Sequence, residues 1–316
     1  MAVLAPKNRA DVATAGQHGR RGTRELSPHA LGVVMNLPAI CLLLLVLAYP
    51  VVYAGYLSLH RVGIAQLRRG VFPWNDWENY TRLFEDPLFA LALKNTILFT
   101  VLVVVVEVIL AIGVALLLNR TSLWTSRLAR LLILIPYGVP PITNGLIWSF
   151  MYSFQFGFLN RVLFSLGLIN DPVNWAGNPG TALYAVAVAY IWRTLPFAVL
   201  IIHAALQGIP RELHEAAIVD GGNAWQRFRW ITLPNLRYLL VVASTLDIIN
   251  TIRHYDIIGV MTAGGPANAT EVLPVLLYNT AFRGNRFGEA AAIGVLLLAI
   301  VLAFSIFHIR LTRPER

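Results

Sequence analysis

Asp247, Asn250, Thr251 and His254 stand at i, i+3, i+4 and i+7 of one apolar stretch, so a helix there carries all four on one face. Carboxylate, amide, hydroxyl and imidazole groups together can hold a hydroxylated or charged ligand. They can equally tie helices to one another, because polar side chains in a hydrocarbon span face either a bundle interior or a water-filled path. Arg253 and Asp256 lie beside this stripe, three apart and within pairing reach. A second set, Tyr190, Arg193 and Thr194, repeats the i, i+3, i+4 spacing, with Trp192 adjacent and Pro196 following. A buried Arg193 needs an anion, which Asp247, Asp256 or a ligand can supply. Tyr137 and Gly138 sit between Pro136 and the pair Pro140 and Pro141, which must interrupt backbone hydrogen bonding, and broken helices near the bilayer midplane are where transporters often place substrate.

This chemistry is binding, not catalysis. The chain has no HExxH, GxSxG or paired-cysteine motif, and its seven histidines are scattered, so no catalytic and no metal-ligating residues are expected. Cys41 is the only cysteine, which excludes an intrachain disulfide and a cysteine metal site. Lys7 and Lys94 are the only lysines, and neither belongs to a GxxxxGK[ST] loop. If ATP drives this protein, another subunit hydrolyses it. Glu107 and Glu289 stand isolated, and His203 reads as structural.

The elements that must position these residues are membrane helices. Of 316 residues, 57% are hydrophobic and 13% charged, well away from a soluble domain. Residues 1–30 form a basic tail, and residues 31–316 read as one all-α bundle of six spans. Leu31–Leu59 runs 29 residues without a charge, too long for a cleavable signal and long enough for an anchor. Further spans are expected at Asn95–Leu118, Leu131–Phe154, Thr181–Leu206, Tyr238–Met261 and Ala290–Ile309. The fifth carries Asp247, Arg253 and Asp256, each costing about 2.5–3.5 kcal/mol at a helix centre, so it must face protein or water. Fifteen Lys and Arg residues fall on the side of the termini and eight on the other, which places both termini in the cytoplasm. The net charge of +9 therefore reads as topology and contact with membrane lipid, and not as nucleic-acid binding.

One loop on the terminal side, residues 207–235, is more apolar than a linker needs to be. Pro210 suits a helix start, Arg211–Val219 a short helix, Gly221-Gly222 a break, and Ala224 onward a second short helix that Pro234 stops. Leu213, Ala216 and Ala217 share a face of the first, and Trp225 and Phe228 a face of the second. Such faces suit either a membrane interface or a protein dock.

Glu215-Ala216-Ala217, Gly221 and Ile231-Thr232-Leu233-Pro234 reproduce the EAA-xxx-G-(nine residues)-I-x-L-P signature. In this the chain resembles permease subunits of prokaryotic ATP-binding-cassette importers. The likeness extends to Leu134–Pro140, Asn174-Trp175, Trp192–Pro196 and Thr262–Thr270, and is specifically to the carbohydrate branch that includes maltose-type permeases. It implies a type I importer permease fold in the prokaryotic inner membrane, with the loop coupled to an ATPase through Glu215, Ala216, Ala217, Asp220, Gly221, Ile231, Leu233 and Pro234. The implied sugar contacts are Tyr137, Tyr190, Trp192, Thr194, Asp247, Thr251 and His254, and the helical spacing adds Arg193 and Asn250 as candidate substrate contacts. Implied partners are a second permease subunit, two ATPase subunits that bind ATP and magnesium, an extracytoplasmic solute-binding protein and a sugar, with no cofactor in this chain. Asp247, Arg253 and His254 depart from the small polar or amide side chains common at those positions. The competing reading is a stand-alone ion-coupled transporter, to which the charged fifth span lends itself.

Overall fold

A computed structural model describes residues 28–120 and 123–312 of the chain. The expected basic tail falls outside the described residues as far as residue 27, and the chain is helical from Pro28. By contacts it divides into two units, residues 1–51 and 52–316. No β-strand occurs among the described residues.

Helix α1 spans Pro28–Leu43 and leads through a π turn, Leu44–Ala48, to α2, Tyr49–Ser58. Short helices α3 (Ile64–Arg69) and α4 (Glu78–Glu85) precede the long α5, Pro87–Arg120. Then come α6 (Leu123–Leu134), a 3-10 turn at Pro136–Gly138, α7 (Pro141–Met151), α8 (Phe158–Ser165) and α9 (Ala182–Gln207). The loop holds α10 (Arg211–Val219) and α11 (Ala224–Arg227), and a π turn at Phe228–Thr232 enters α12, Leu233–Ile252. The chain ends with α13 (Asp256–Met261), α14 (Leu273–Tyr278), a π turn at Asn279–Arg283 and α15, Phe287–Thr312.

Five of the described helices are long and apolar enough to cross a bilayer, and a sixth crossing follows if α6 and α7 form one span bent by 96°. The bend is the interruption expected around Pro136, Pro140 and Pro141. At 1.5 Å per residue the 34 residues of α5 reach about 50 Å, well past a ~30 Å hydrocarbon core.

α5 and α9 pack along each other because each offers small residues at helical spacing. Ala111 and Ala115 of α5, and Ala182, Ala185 and Ala189 of α9, are buried, which lets the backbones approach closely. Around this seam Phe99, Val103, Tyr190, Ile257 and Ile258 form one core, and Val199, Ile202, Leu206 and Leu236 a second nearer the 207–235 loop. Asn144, wholly buried on α7, donates to the Ala189 carbonyl at 3.0 Å and ties the bent span to α9.

Two expectations need correction here. Pro234 does not stop a helix: α11 continues through its π turn into α12, and Pro234 lies within that continuous run, one residue past the π turn. The Asn235 side chain donates to the Ile231 carbonyl, at 2.7 Å. At its far end the fifth span is broken, with Arg253–Tyr255 separating α12 from α13.

Candidate functional site

α12 delivers the polar stripe to a cavity of about 540 Å3 between α5, α9 and α12, closed at one side by Tyr137 of the 3-10 turn. Tyr137, Tyr190, Arg193, Thr194, Asp247, Asn250 and His254 all line it. The Tyr137 ring stacks on Phe197 with centroids 5.5 Å apart and planes 11° from parallel, which makes a flat apolar wall. Arg193 lies 5.8 Å from the centre of the Tyr137 ring, a cation–π distance.

The polar groups form two connected sets. Thr251 donates to the Asp247 carbonyl at 2.8 Å and lies 3.2 Å from the Tyr190 hydroxyl, so it fixes Tyr190 against α12. Tyr190 in turn meets His254 edge-on at 4.7 Å, and the His254 Nε2 accepts the Ile257 N–H at 3.3 Å. On the facing wall Thr194 donates to Glu107 of α5 at 2.7 Å. Asp247 Oδ2 is buried without a hydrogen-bond partner among the described residues.

Several members of this site have other neighbours than their spacing suggests. Arg193 forms no ion pair with Asp247 or Asp256; its Nε donates to the Val139 carbonyl at 2.9 Å, one of the acceptors freed by the broken helix. Arg253 donates to Asn250 Oδ1 at 2.8 Å and not to Asp256. Trp192 points away from the cavity, 37% exposed and edge-on to Trp148 at 6.0 Å, because α9 turns its i+2 position off the shared face. Thr251 is buried behind the wall as a brace. Glu107 was missed as a lining residue, although a lone carboxylate in an apolar span marks an inward-facing position. Glu289 likewise is not isolated, since Arg286 bridges it at 2.9 Å.

At the other site α10 ends at Val219, as its sequence predicts, in a Schellman turn: Gly221 N–H donates to Ile218 O at 3.0 Å and Gly222 N–H to Ala217 O at 2.7 Å. Gly221 adopts φ +78°, which glycine accepts without strain. Asn223 and Gln226 then exchange backbone-to-side-chain bonds of 2.8 and 2.9 Å that start α11. Ala217, Asp220, Gly221 and Ile231 border one shallow groove with Trp230, while Leu233 and Pro234 border another with Arg229 and Arg237. Glu215 and Ala216 lie exposed on α10 outside both grooves. Val219 is 86% and Trp230 72% exposed.

A helical bundle with a polar cavity among its spans and an exposed helical loop at one end defines a membrane permease. Residues 107–313 match the family described as the binding-protein-dependent transport system inner membrane component, and the chain belongs to that family. It is 36% identical to the trehalose/maltose transport system permease protein of Thermococcus litoralis, over 90% of this chain and 95% of that one. It is 33% identical to the sulfoquinovosyl glycerol transport system permease protein of Agrobacterium fabrum, over 92% and 93%. The crystal structure of a bacterial ABC transporter that imports the acidic polysaccharide alginate shares the fold, with a TM-score of 0.76 at 23% identity over 90% of this chain and 95% of that one. The chain is therefore a multi-pass inner-membrane permease of the ABC importer class, a transport component and not an enzyme. This stands against the stand-alone secondary transporter.

Proposed function

We propose that this chain forms half of the translocation pathway of a binding-protein-dependent sugar importer and couples it to a separate ATPase. The observation that carries the cargo reading is the cavity itself: a stacked Tyr137–Phe197 wall faces Asp247, Asn250 and Thr194, the pairing of apolar plane and hydroxyl-bonding groups that suits a sugar ring. Trehalose, maltose and sulfoquinovosyl glycerol in the names of its relatives support the same class. Among the matches, a bacterial alginate ABC transporter was crystallised in complex with its alginate-bound periplasmic protein, which supports a solute-binding protein as the outer partner.

The 207–235 loop is the lever. Two short helices joined by a hydrogen-bonded turn and continuous with α12 transmit a rigid-body displacement that a loose loop would absorb. Val219 and Trp230 are the knobs that an ATPase cleft would cover, with Glu215 pairing to a polar or basic group beside them. Two ATPase subunits hold ATP and magnesium, a second permease completes the pathway, and both termini are cytoplasmic. ATP shifts the bundle between states only by its different affinity for each.

The test is uptake by the assembled importer in proteoliposomes with ATP enclosed, against a panel of labelled sugars. Uptake that depends on ATP and falls when Tyr137 is replaced by Ala supports the reading. Gradient-driven uptake by this chain alone defeats it.

A further inference from the structure

The groove that Leu233 and Pro234 border continues along α12 and measures about 440 Å3. It shares no lining residue with the cargo cavity or with the groove at Gly221. Val108 of α5 and Leu233, Leu240 and Val241 of α12 make its apolar bed, and Arg229 and Arg237 supply its charge. Helical side chains lean toward the N-terminus, which for α12 is the loop end, so both guanidinium groups belong to that end. No Asp or Glu lines the groove, and no carboxylate bridges Arg229 or Arg237 among the described residues.

Two further features point to a membrane lipid. Arg229 lies 5.2 Å from the centre of the exposed Trp230 ring, a contact that orients the guanidinium and leaves its charge in place, and the exposed Tyr238 follows Arg237. Exposed aromatic and basic side chains collect in this way at a membrane–water interface. The dimensions fit a single leaflet as well. The rise from Leu233 to Ser244 is about 16 Å at 1.5 Å per residue, against roughly 15 Å for half of a ~30 Å hydrocarbon core. A soluble anion has no use for the apolar bed, and a neutral lipid has none for two guanidinium groups.

We propose that this groove holds an anionic phospholipid from the leaflet on the loop side, its phosphate bridged by Arg229 and Arg237 and an acyl chain laid along Leu233, Leu240 and Val241. Guanidinium forks match phosphate oxygens in pairs. Arg229 belongs to the π turn and Arg237 to α12, so the headgroup ties the loop to the span that carries Asp247 and Asn250 and stiffens the joint between them. Lipid binding of this kind is independent of which cargo the importer carries.

The importer, purified with its partner subunits, is placed in nanodiscs of equal phosphatidylcholine and phosphatidylglycerol, and native mass spectrometry after mild delipidation reads the lipid retained. Phosphatidylglycerol is expected in excess over phosphatidylcholine. Arg229→Gln with Arg237→Gln should cut that excess about tenfold, the loss expected when charge-assisted contacts are removed. Arg229→Lys with Arg237→Lys should keep most of it, because each cation still attracts the headgroup. Arg68→Gln with Arg69→Gln, on α3, should leave it unchanged. All four arginines are exposed, so their exchange leaves the core untouched. Equal retention of the two lipids by the wild-type protein overturns the proposal, as does an undiminished excess in the Arg229 and Arg237 glutamine pair or an equal fall in the α3 pair. A cross-link from Ser244→Cys, in a Cys41→Ser background, to the second permease subunit would put protein in the groove and overturn it too. The readout is lipid retention, so it stands apart from any failure of sugar uptake.

Discussion

Two glycine turns at opposite kinds of site bring out how this molecule divides its work. The turn at Thr262–Leu273 is knit into the bundle: Asn95 of α5 donates to the Asn268 and Glu271 carbonyls at 3.2 and 3.0 Å, and Thr96 accepts the Leu273 N–H at 2.8 Å. Thr270, wholly buried, donates to Gly265 O at 2.6 Å. Gly264 there has φ +95°, and a Cβ on it would collide with the Glu271 carboxylate. The turn at Gly221 also needs a positive φ, yet a Cβ there would meet nothing within 4 Å. One turn is closed by its own chain. The other leaves Val219 and Trp230 largely exposed, as the proposed docking surface for another subunit requires.

The sharpest way to break this contrast is Gly221→Pro or Glu215→Lys. Proline holds φ near −65° and cannot adopt the turn, so transport-coupled ATP hydrolysis is lost while membrane insertion and yield are kept. Normal uptake in both variants would remove the lever. Next in size, Gly264→Ala combines a strained φ with a steric collision and costs roughly 2–4 kcal/mol of stability, read as a lower melting temperature of the purified complex. An unchanged melting temperature would show that the Thr262–Leu273 turn is no more integral than the one at Gly221.

A smaller effect is expected at the cavity proposed for the cargo. Thr194→Val removes the hydroxyl that donates to Glu107 and leaves a buried carboxylate oxygen short of a partner. Uptake should show KM raised about tenfold with a smaller change in maximal rate, the loss of roughly 1–2 kcal/mol. Unaltered KM would separate Glu107 from cargo binding.

The smallest effect concerns pH. Burial pushes the Glu271 carboxyl above its ordinary range, only partly offset by the Asn279 amide and by Arg283. The folded protein therefore keeps this proton to higher pH than the unfolded chain does. Its contribution to stability is complete below about pH 4, the ordinary glutamate range, and is lost as pH rises through the raised value. Glu271→Gln should flatten the corresponding fall in melting temperature, and an equal slope in both proteins would contradict the assignment.

Periodicity and composition alone determined the helical class, the crossing segments, the α10 boundaries and the Gly221 turn, because each depends on local backbone chemistry or on a run of apolar residues. Spacing likewise put Asp247, Asn250 and His254 on the face that reaches the cavity. Partners across helices were decided only by tertiary structure. Arg193 took a carbonyl freed by the Pro140 break, Glu107 met Thr194 across the α5–α9 seam, and Trp192 turned aside to Trp148. The continuation past Pro234 belongs to the same group, since the π turn ahead of it carries α11 into α12 without a break. A helix sequence specifies which face a residue occupies, but which acceptor lies opposite that face depends on how neighbouring helices rotate and bend, and that is set by packing over the whole bundle.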